Sequence, residues 1–220
     1  VLLFIIFFSL LVLRVIHRVM SKTSLAAASL ITVSALLGAQ MGYLAYRTNF
    51  YQVPFAASLA LTSLGLWFWL GADTSSRPLM PSDRWQAGNT QPLSLPRLAV
   101  GALCIAANFG CRPTFALTAL LAIALFWPQI RAMISDLAHR RITMLKALRA
   151  PLAMVIPALV VVIPLMLWNK VRFGSLIDFG NAYQFTVSDM TRYTTPIADM
   201  PATVWYYLFL PVRFVRNFPW

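Results

Sequence analysis

The stretch Leu98–Trp127, LAVGALCIAANFGCRPTFALTALLAIALFW, decides how this chain folds. It is apolar on both sides and interrupted in the middle by Asn108-Phe-Gly-Cys-Arg-Pro-Thr114. As a single helix it would be about 45 Å long, against a bilayer hydrocarbon core of about 30 Å. Cations flank it on both sides: Arg77, Arg84 and Arg97 before it, Arg131, Arg140, Arg141, Lys146 and Arg149 after it. Lys and Arg collect in cytoplasmic loops, so both flanks read as cytoplasmic. The segment must then enter the membrane and return. Two short helices, about 98–107 and 114–127, meeting at the break satisfy both constraints. Irregular backbone at membrane depth is tolerated only where protein buries it or a watery cavity solvates it. The expectation is that Arg112 lies in such a cavity.

Four more apolar spans surround this hairpin: Val1–Leu13, Leu25–Tyr46, Val53–Ala72 and Ala150–Trp168, the last containing Pro151, Pro157 and Pro164. Arg14, Arg18 and Lys22 follow the first span and join the cytoplasmic set. Arg47 and the mixed-charge run after Trp168 fall on the other side. The expected fold class is all-α: a polytopic transmembrane helix bundle with a broken, re-entrant hairpin. One extracytoplasmic loop, 169–220, follows the last full span and opens a further segment. The chain opens on Val1 inside an apolar run shorter than the roughly 20 residues of a crossing, so it reads as a fragment of one integral membrane domain.

Three local readings complete the layout. Residues 128–149 carry Ile130, Met133, Ile134, Leu137, Leu145 and Leu148 at helical spacing among cations. They read as a basic amphipathic helix on the cytoplasmic leaflet, with a solvated linker as the alternative. Residues 73–96, rich in Pro and small polar residues, read as a flexible loop. Gly38 and Gly42 have the spacing that permits close helix packing.

Composition supports a lipid-facing surface. The chain is 60% hydrophobic and 11% charged, where soluble domains carry about 25% charged residues. The net charge of +12 sits in short loops between apolar spans, which fits membrane topology and leaves no reason for nucleic-acid binding. Glu is absent, so the carboxylates are Asp73, Asp83, Asp136, Asp178, Asp189 and Asp199. Cys104 and Cys111 match no metal or redox spacing and read as free thiols, with a disulfide as the alternative. His17 and His139 lie among cations and pair with no carboxylate cluster. No phosphate-binding loop, dinucleotide fingerprint or hydrolase elbow occurs.

The candidates for chemistry are few. Arg112, beside Pro113, could hold a phosphate with its planar fork or simply satisfy freed carbonyls. Lys170 and Arg172, just past the last span, could clamp a phosphate or contact headgroups. Asp178 is a weak candidate for base or metal ligand, with a local ion pair to Arg172 as the alternative. Tyr183 and Gln184, with Phe185 and Tyr193, could form a sugar-binding face or an interfacial aromatic belt.

The run Trp168-Asn-Lys-Val-Arg-Phe-Gly-Ser-Leu-Ile-Asp-Phe-Gly-Asn-Ala-Tyr-Gln184 resembles a segment of bacterial polytopic glycosyltransferases of the C-type superfamily. These are similar to the dolichyl-phosphate-mannose protein mannosyltransferases. Cys111-Arg-Pro-Thr114 and Gly42-Tyr-Leu-Ala-Tyr-Arg47 through Asn49-Phe-Tyr51 resemble further parts of the same proteins. Gln52-Val53 departs from the polar pair that relatives often carry there. The resemblance implies an integral protein of the bacterial cytoplasmic membrane. It would transfer sugar from a polyprenyl-phosphate donor to an extracytoplasmic glycan, lipid or protein acceptor. The cofactor is unspecified, and a divalent metal is compatible with the family. The catalytic carboxylate is expected in a loop before Val1. A lipid-linked glycan transporter or flippase, or a non-catalytic membrane subunit, are the competing functions.

Overall fold

The computed structural model describes residues 1–20, 22–39, 41–46, 52–73, 93–180 and 196–209. Among these the protein is an all-α helical bundle without strands. It divides into two compact units, Val1–Trp168 and Asn169–Trp220.

The first unit contains α1 (Leu2–Val19), α2 (Leu25–Gly38), α3 (Met41–Tyr46), α4 (Gln52–Ala72) and α5 (Leu95–Cys111). A 3-10 helix (Pro113–Leu120), α6 (Leu121–Leu125), α7 (Trp127–Ala138) and most of α8 (Met144–Phe173) follow. Helices α1, α4 and α8 are long and apolar enough to cross a membrane, which marks this as a membrane protein.

Helix α4 is the centre of the unit, packed along α1 on one side and α5 on the other. Its buried face is built largely from small residues, including Ala56, Ser58, Ala60, Ser63, Gly65, Gly71 and Ala72. Small side chains let backbones approach closely, which is how helices associate where lipid removes the hydrophobic drive. The closest approach is at Gly65 and Gly101, where an added methyl group on either would crowd the other's carbonyl oxygen. Beside it, Trp69 lies over Gly101 and donates its indole N–H to Leu98 O at 3.2 Å. A buried cluster of Trp69, Ala72, Leu98, Ala102, Ile105 and Phe126 forms there. A second cluster, Phe4, Leu44 and Ala60, ties α1 and α3 to α4.

The hairpin folds back on itself along α4. Helix α5 runs antiparallel to α4, with Ser94 N–H donating to Ala72 O at 2.9 Å at one end and the Arg112 guanidinium 5.8 Å from the Phe55 ring at the other. The return leg ends with Phe126 beside Trp69, ring centroids 6.3 Å apart. The 17 residues of α5 rise about 26 Å. The return needs fewer residues because eight of them are 3-10, which rises about 2.0 Å per residue. The break itself is where the sequence places it. Proline disfavours helical backbone in the residue before it, and Arg112 is extended at φ −145°, ψ 107°.

Several boundaries differ from the sequence reading. Helix α1 continues to Val19 and carries Arg14, His17 and Arg18 inside it. The span expected at 25–46 is two helices, because α2 ends at Gly38, where missing side-chain restraint weakens a helix. Gly38 and Gly42 have open space where a Cβ would lie, so the close packing expected there is at Gly65 and Gly101 instead. The amphipathic segment 128–149 is also divided. Helix α7 is bent by 59° from the return leg at Phe126, just before Pro128. It ends in a Schellman turn: Arg140 takes φ 55°, its N–H reaches Leu137 O, and Arg141 N–H reaches Asp136 O at 2.8 Å. Residues from Met144 onward join α8, whose helix runs through Pro151, Pro157 and Pro164. Cys104 and Cys111 are free thiols.

The second unit holds the end of α8, a turn through Gly180, a short 3-10 turn (Ile197–Asp199) and α9 (Met200–Phe209). Trp205 stacks on Phe209 within α9, centroids 4.6 Å apart. The loop reading for 74–92, the segment 47–51, and the site candidates Tyr183 and Gln184 lie outside the described residues.

Candidate functional site

Arg112 is held by the break in the hairpin. Its N–H donates to Asn108 O at 2.8 Å, closing α5, and its carbonyl accepts from Phe115 N–H at 3.0 Å, opening the return leg. The side chain is exposed. The reason is the length of α5. The hairpin runs nearly the whole of α4 before turning, which carries Arg112 past the helix contacts to the level of α4's first turn. There the guanidinium lies over Phe55, whose ring meets Phe115 edge-on at 5.4 Å. Such cation–π contact contributes about 0.5–1 kcal/mol at exposed sites and orients the fork. Arg112 forms no ion pair with any acid among the described residues.

Lys170 and Arg172 occupy the last turn of α8, in the second unit, where cations complement the helix dipole. Both are exposed, and Arg172 lies 4.9 Å from the centroid of the Phe173 ring. Gly174 ends the helix at φ 77°, with its N–H on Lys170 O at 2.9 Å. Asp178 does not pair with Arg172 among the described residues. Its Oδ1 instead accepts from Gly180 N–H at 2.8 Å, a local Asx turn. Gly180, also at φ 77°, has the Phe173 ring directly over its α-carbon. The Gly-Ser-Leu-Ile-Asp-Phe-Gly run is thus a glycine-bounded turn whose carboxylate is partly spent on its own backbone.

Two groups of polar residues escaped the sequence reading. At the end of α4 nearest α5's start, three arginines reach carbonyls. Arg14 donates to Trp67 O, Arg18 to Asp73 O at 2.6 Å, and Arg97 to Gly71 O. Arg14 also stacks on the Trp67 ring at 3.8 Å. Helix C-termini leave carbonyls unpaired and carry partial negative charge, so cations belong there. These residues were visible in the sequence only as loop cations. Further along, buried Asn108 donates Nδ2 to Thr62 Oγ1 at 2.9 Å, while Asn108 Oδ1 and Ser58 Oγ are buried without a partner. The only sequence signal for this pair was an Asn inside an apolar span.

His139 bonds Ser135 O through Nδ1 at 2.8 Å. Among the described residues no three His, Cys, Asp or Glu side chains cluster as a metal site would require. No protein-family model, no curated protein and no solved structure matches the chain significantly.

Proposed function

We propose that this is a multi-pass membrane glycosyltransferase of the bacterial cytoplasmic membrane. It takes a sugar from a polyprenyl-phosphate donor and gives it to an extracytoplasmic glycan, lipid or protein. The observation that carries this reading is Arg112, an exposed guanidinium fixed at a helix break and unpaired with any described acid. An unneutralised planar fork is the geometry that grips a phosphate in bidentate fashion. Lys170 and Arg172, exposed on the last turn of α8 in the second unit, are a separate pair of cations that can contact phosphate.

In such a transfer the acceptor oxygen bonds to the anomeric carbon as the bond from that carbon to the phosphate oxygen breaks. The phosphate leaves with the electron pair, and guanidinium groups stabilise the growing negative charge. A carboxylate takes the acceptor's hydroxyl proton. Asp178 is the weakest element of this scheme, because Oδ1 is committed to Gly180 N–H.

The test uses membranes containing the chain, a radiolabelled polyprenyl-phosphate hexose, and extraction of labelled products. Transfer or donor hydrolysis above empty-vector membranes supports the reading. Arg112→Ala is expected to lower the rate by about 100-fold or more, the scale of losing one charge-stabilising donor, while Arg112→Lys retains part of it. Equal label release in both kinds of membrane, or full activity of Arg112→Ala, would overturn it.

A further inference from the structure

We propose that the face formed by α5, α7 and α8 is a binding site for one diacyl anionic phospholipid. The two acyl chains lie in separate apolar grooves and the phosphate sits on Arg149 and Lys146. The inference is independent of the glycosyltransferase reading and concerns a different part of the molecule.

Helix α8 contributes few contacts to the bundle, and none of its most apolar stretch is buried. It touches the hairpin through Ala150, Ala153 and Met154 near one end and through Leu165 against Gly110 further along. Two hollows remain beside it. The first, about 600 Å³, is walled by Leu98, Phe126, Ile130, Met133, Ala150 and Met154. The second, about 430 Å³, lies between Ala99 and a strip of α8 formed by Leu152, Ala153, Ile156 and Pro157. Both volumes fall in the range that holds small organic ligands, and both walls are predominantly apolar.

Leu95 and Arg149 line both hollows. Two open apolar grooves that share one cationic residue have the form of a molecule with two hydrocarbon chains joined at one anionic group. A single-chain amphiphile would leave one groove empty. Lys146, one turn before Arg149 on α8, lines the first hollow and adds a second cation. The acid that lines it, Asp136, is engaged by Arg141 at 3.8 Å. Neither Lys146 nor Arg149 has an ion-pair partner among the described residues. Gln129 also lines the first hollow, and its Oε1 is buried without a hydrogen-bond partner. A hydroxyl on the lipid headgroup or glycerol backbone can donate to it. Cations close to a membrane surface favour anionic lipid, so charge selects the headgroup and the grooves select the chains.

The experiment is native mass spectrometry and thermal melting of the whole chain, purified and delipidated in detergent. Phosphatidylglycerol and phosphatidylcholine with identical chains are compared. Phosphatidylglycerol is expected to bind on the order of tenfold more tightly, with one molecule retained per chain, and to raise the Tm. The double variant Lys146→Gln, Arg149→Gln changes two exposed side chains. Its delipidated Tm is expected to match wild type, while its preference for phosphatidylglycerol disappears. Ala150→Phe, which fills the first groove, is expected to weaken both lipids. Equal binding of the two headgroups, or a preference that survives in the double variant, would overturn the proposal. So would stabilisation by inorganic phosphate equal to that by lipid, which would mean a simple anion site. Tighter binding of a single-chain polyprenyl phosphate than of phosphatidylglycerol would also count against it.

Discussion

A methyl group on Gly65 would lie 3.0 Å from Gly101 O, and one on Gly101 would lie 2.9 Å from Gly65 O. The two glycines are reciprocal, and side chains crowd each of them more closely still: Ile105 Cδ1 at 2.8 Å from a methyl on Gly65, and the Trp69 ring against one on Gly101. Alanine is the better helix former by about 1 kcal/mol, so the local preference at both sites opposes what the packing demands. At Gly101 the obstacles are the buried Trp69 ring, held by its N–H bond to Leu98 O, and the Gly65 carbonyl behind it, and neither swings aside as a flexible side-chain tip would. Overpacking costs about 1–3 kcal/mol. We expect Gly101→Ala to lower stability by about 1 kcal/mol net and Gly101→Leu by more, with Gly42→Ala neutral or slightly stabilising because nothing lies near its Cβ. Thermal melts in detergent compare the three. A Gly101→Leu protein as stable as wild type would mean that α4 and α5 do not cross there.

The arginine cap on α4 predicts a specific intolerance. Arg14 both donates to Trp67 O and stacks on the Trp67 ring. Lysine can supply a donor, but it lacks the planar surface. Arg14→Lys is therefore expected to lose about 1 kcal/mol, and Arg14→Ala somewhat more, as hydrogen bonds from charged groups contribute about 1.5–3 kcal/mol. Equilibrium unfolding in a mixed-micelle denaturant series reads both. If Arg14→Lys proves neutral, the ring contact contributes nothing.

Asn108 and Thr62 make a buried polar contact, and Asn108 Oδ1 has no donor. Asn108→Ala should cost about 1–3 kcal/mol through the lost bond and the space left behind. Asn108→Asp should cost more, since burying a carboxylate at that fully enclosed position costs more than burying a neutral amide. The order of the two melting temperatures is the measurement. An Asp variant as stable as the Ala variant would point to solvent access along α5.

The turn after α8 separates backbone strain from steric exclusion. Gly174 and Gly180 share φ 77°, but a Cβ at Gly174 meets open space while one at Gly180 meets Phe173 Cζ at 2.7 Å. Left-handed backbone costs a non-glycine residue about 1–2 kcal/mol. Gly174→Ala should show that cost alone, and Gly180→Ala the larger sum. Amide exchange at Gly180, whose N–H is held by Asp178 Oδ1, should accelerate most in Gly180→Ala and in Asp178→Ala. Equal exchange in both glycine variants would contradict the contact with Phe173.

The sequence by itself determined the class of the protein and the site of its central turn. Long apolar spans with few charges leave only helices in a membrane, and Pro113 dictates a break at Arg112 wherever that residue ends up. Tertiary structure decided the rest. Whether Arg112 is enclosed or exposed depends on how far α5 runs along α4, which apolar length does not state. Gly38 and Gly42 carry the spacing of a packing motif, yet Gly65 and Gly101, 36 positions apart by number, are the pair that meets. Arg14, Arg18 and Arg97 read as loop charges until the fold brings a helix end to them. In each case the deciding quantity is a distance between residues remote in sequence, and such distances follow only once the helices have packed.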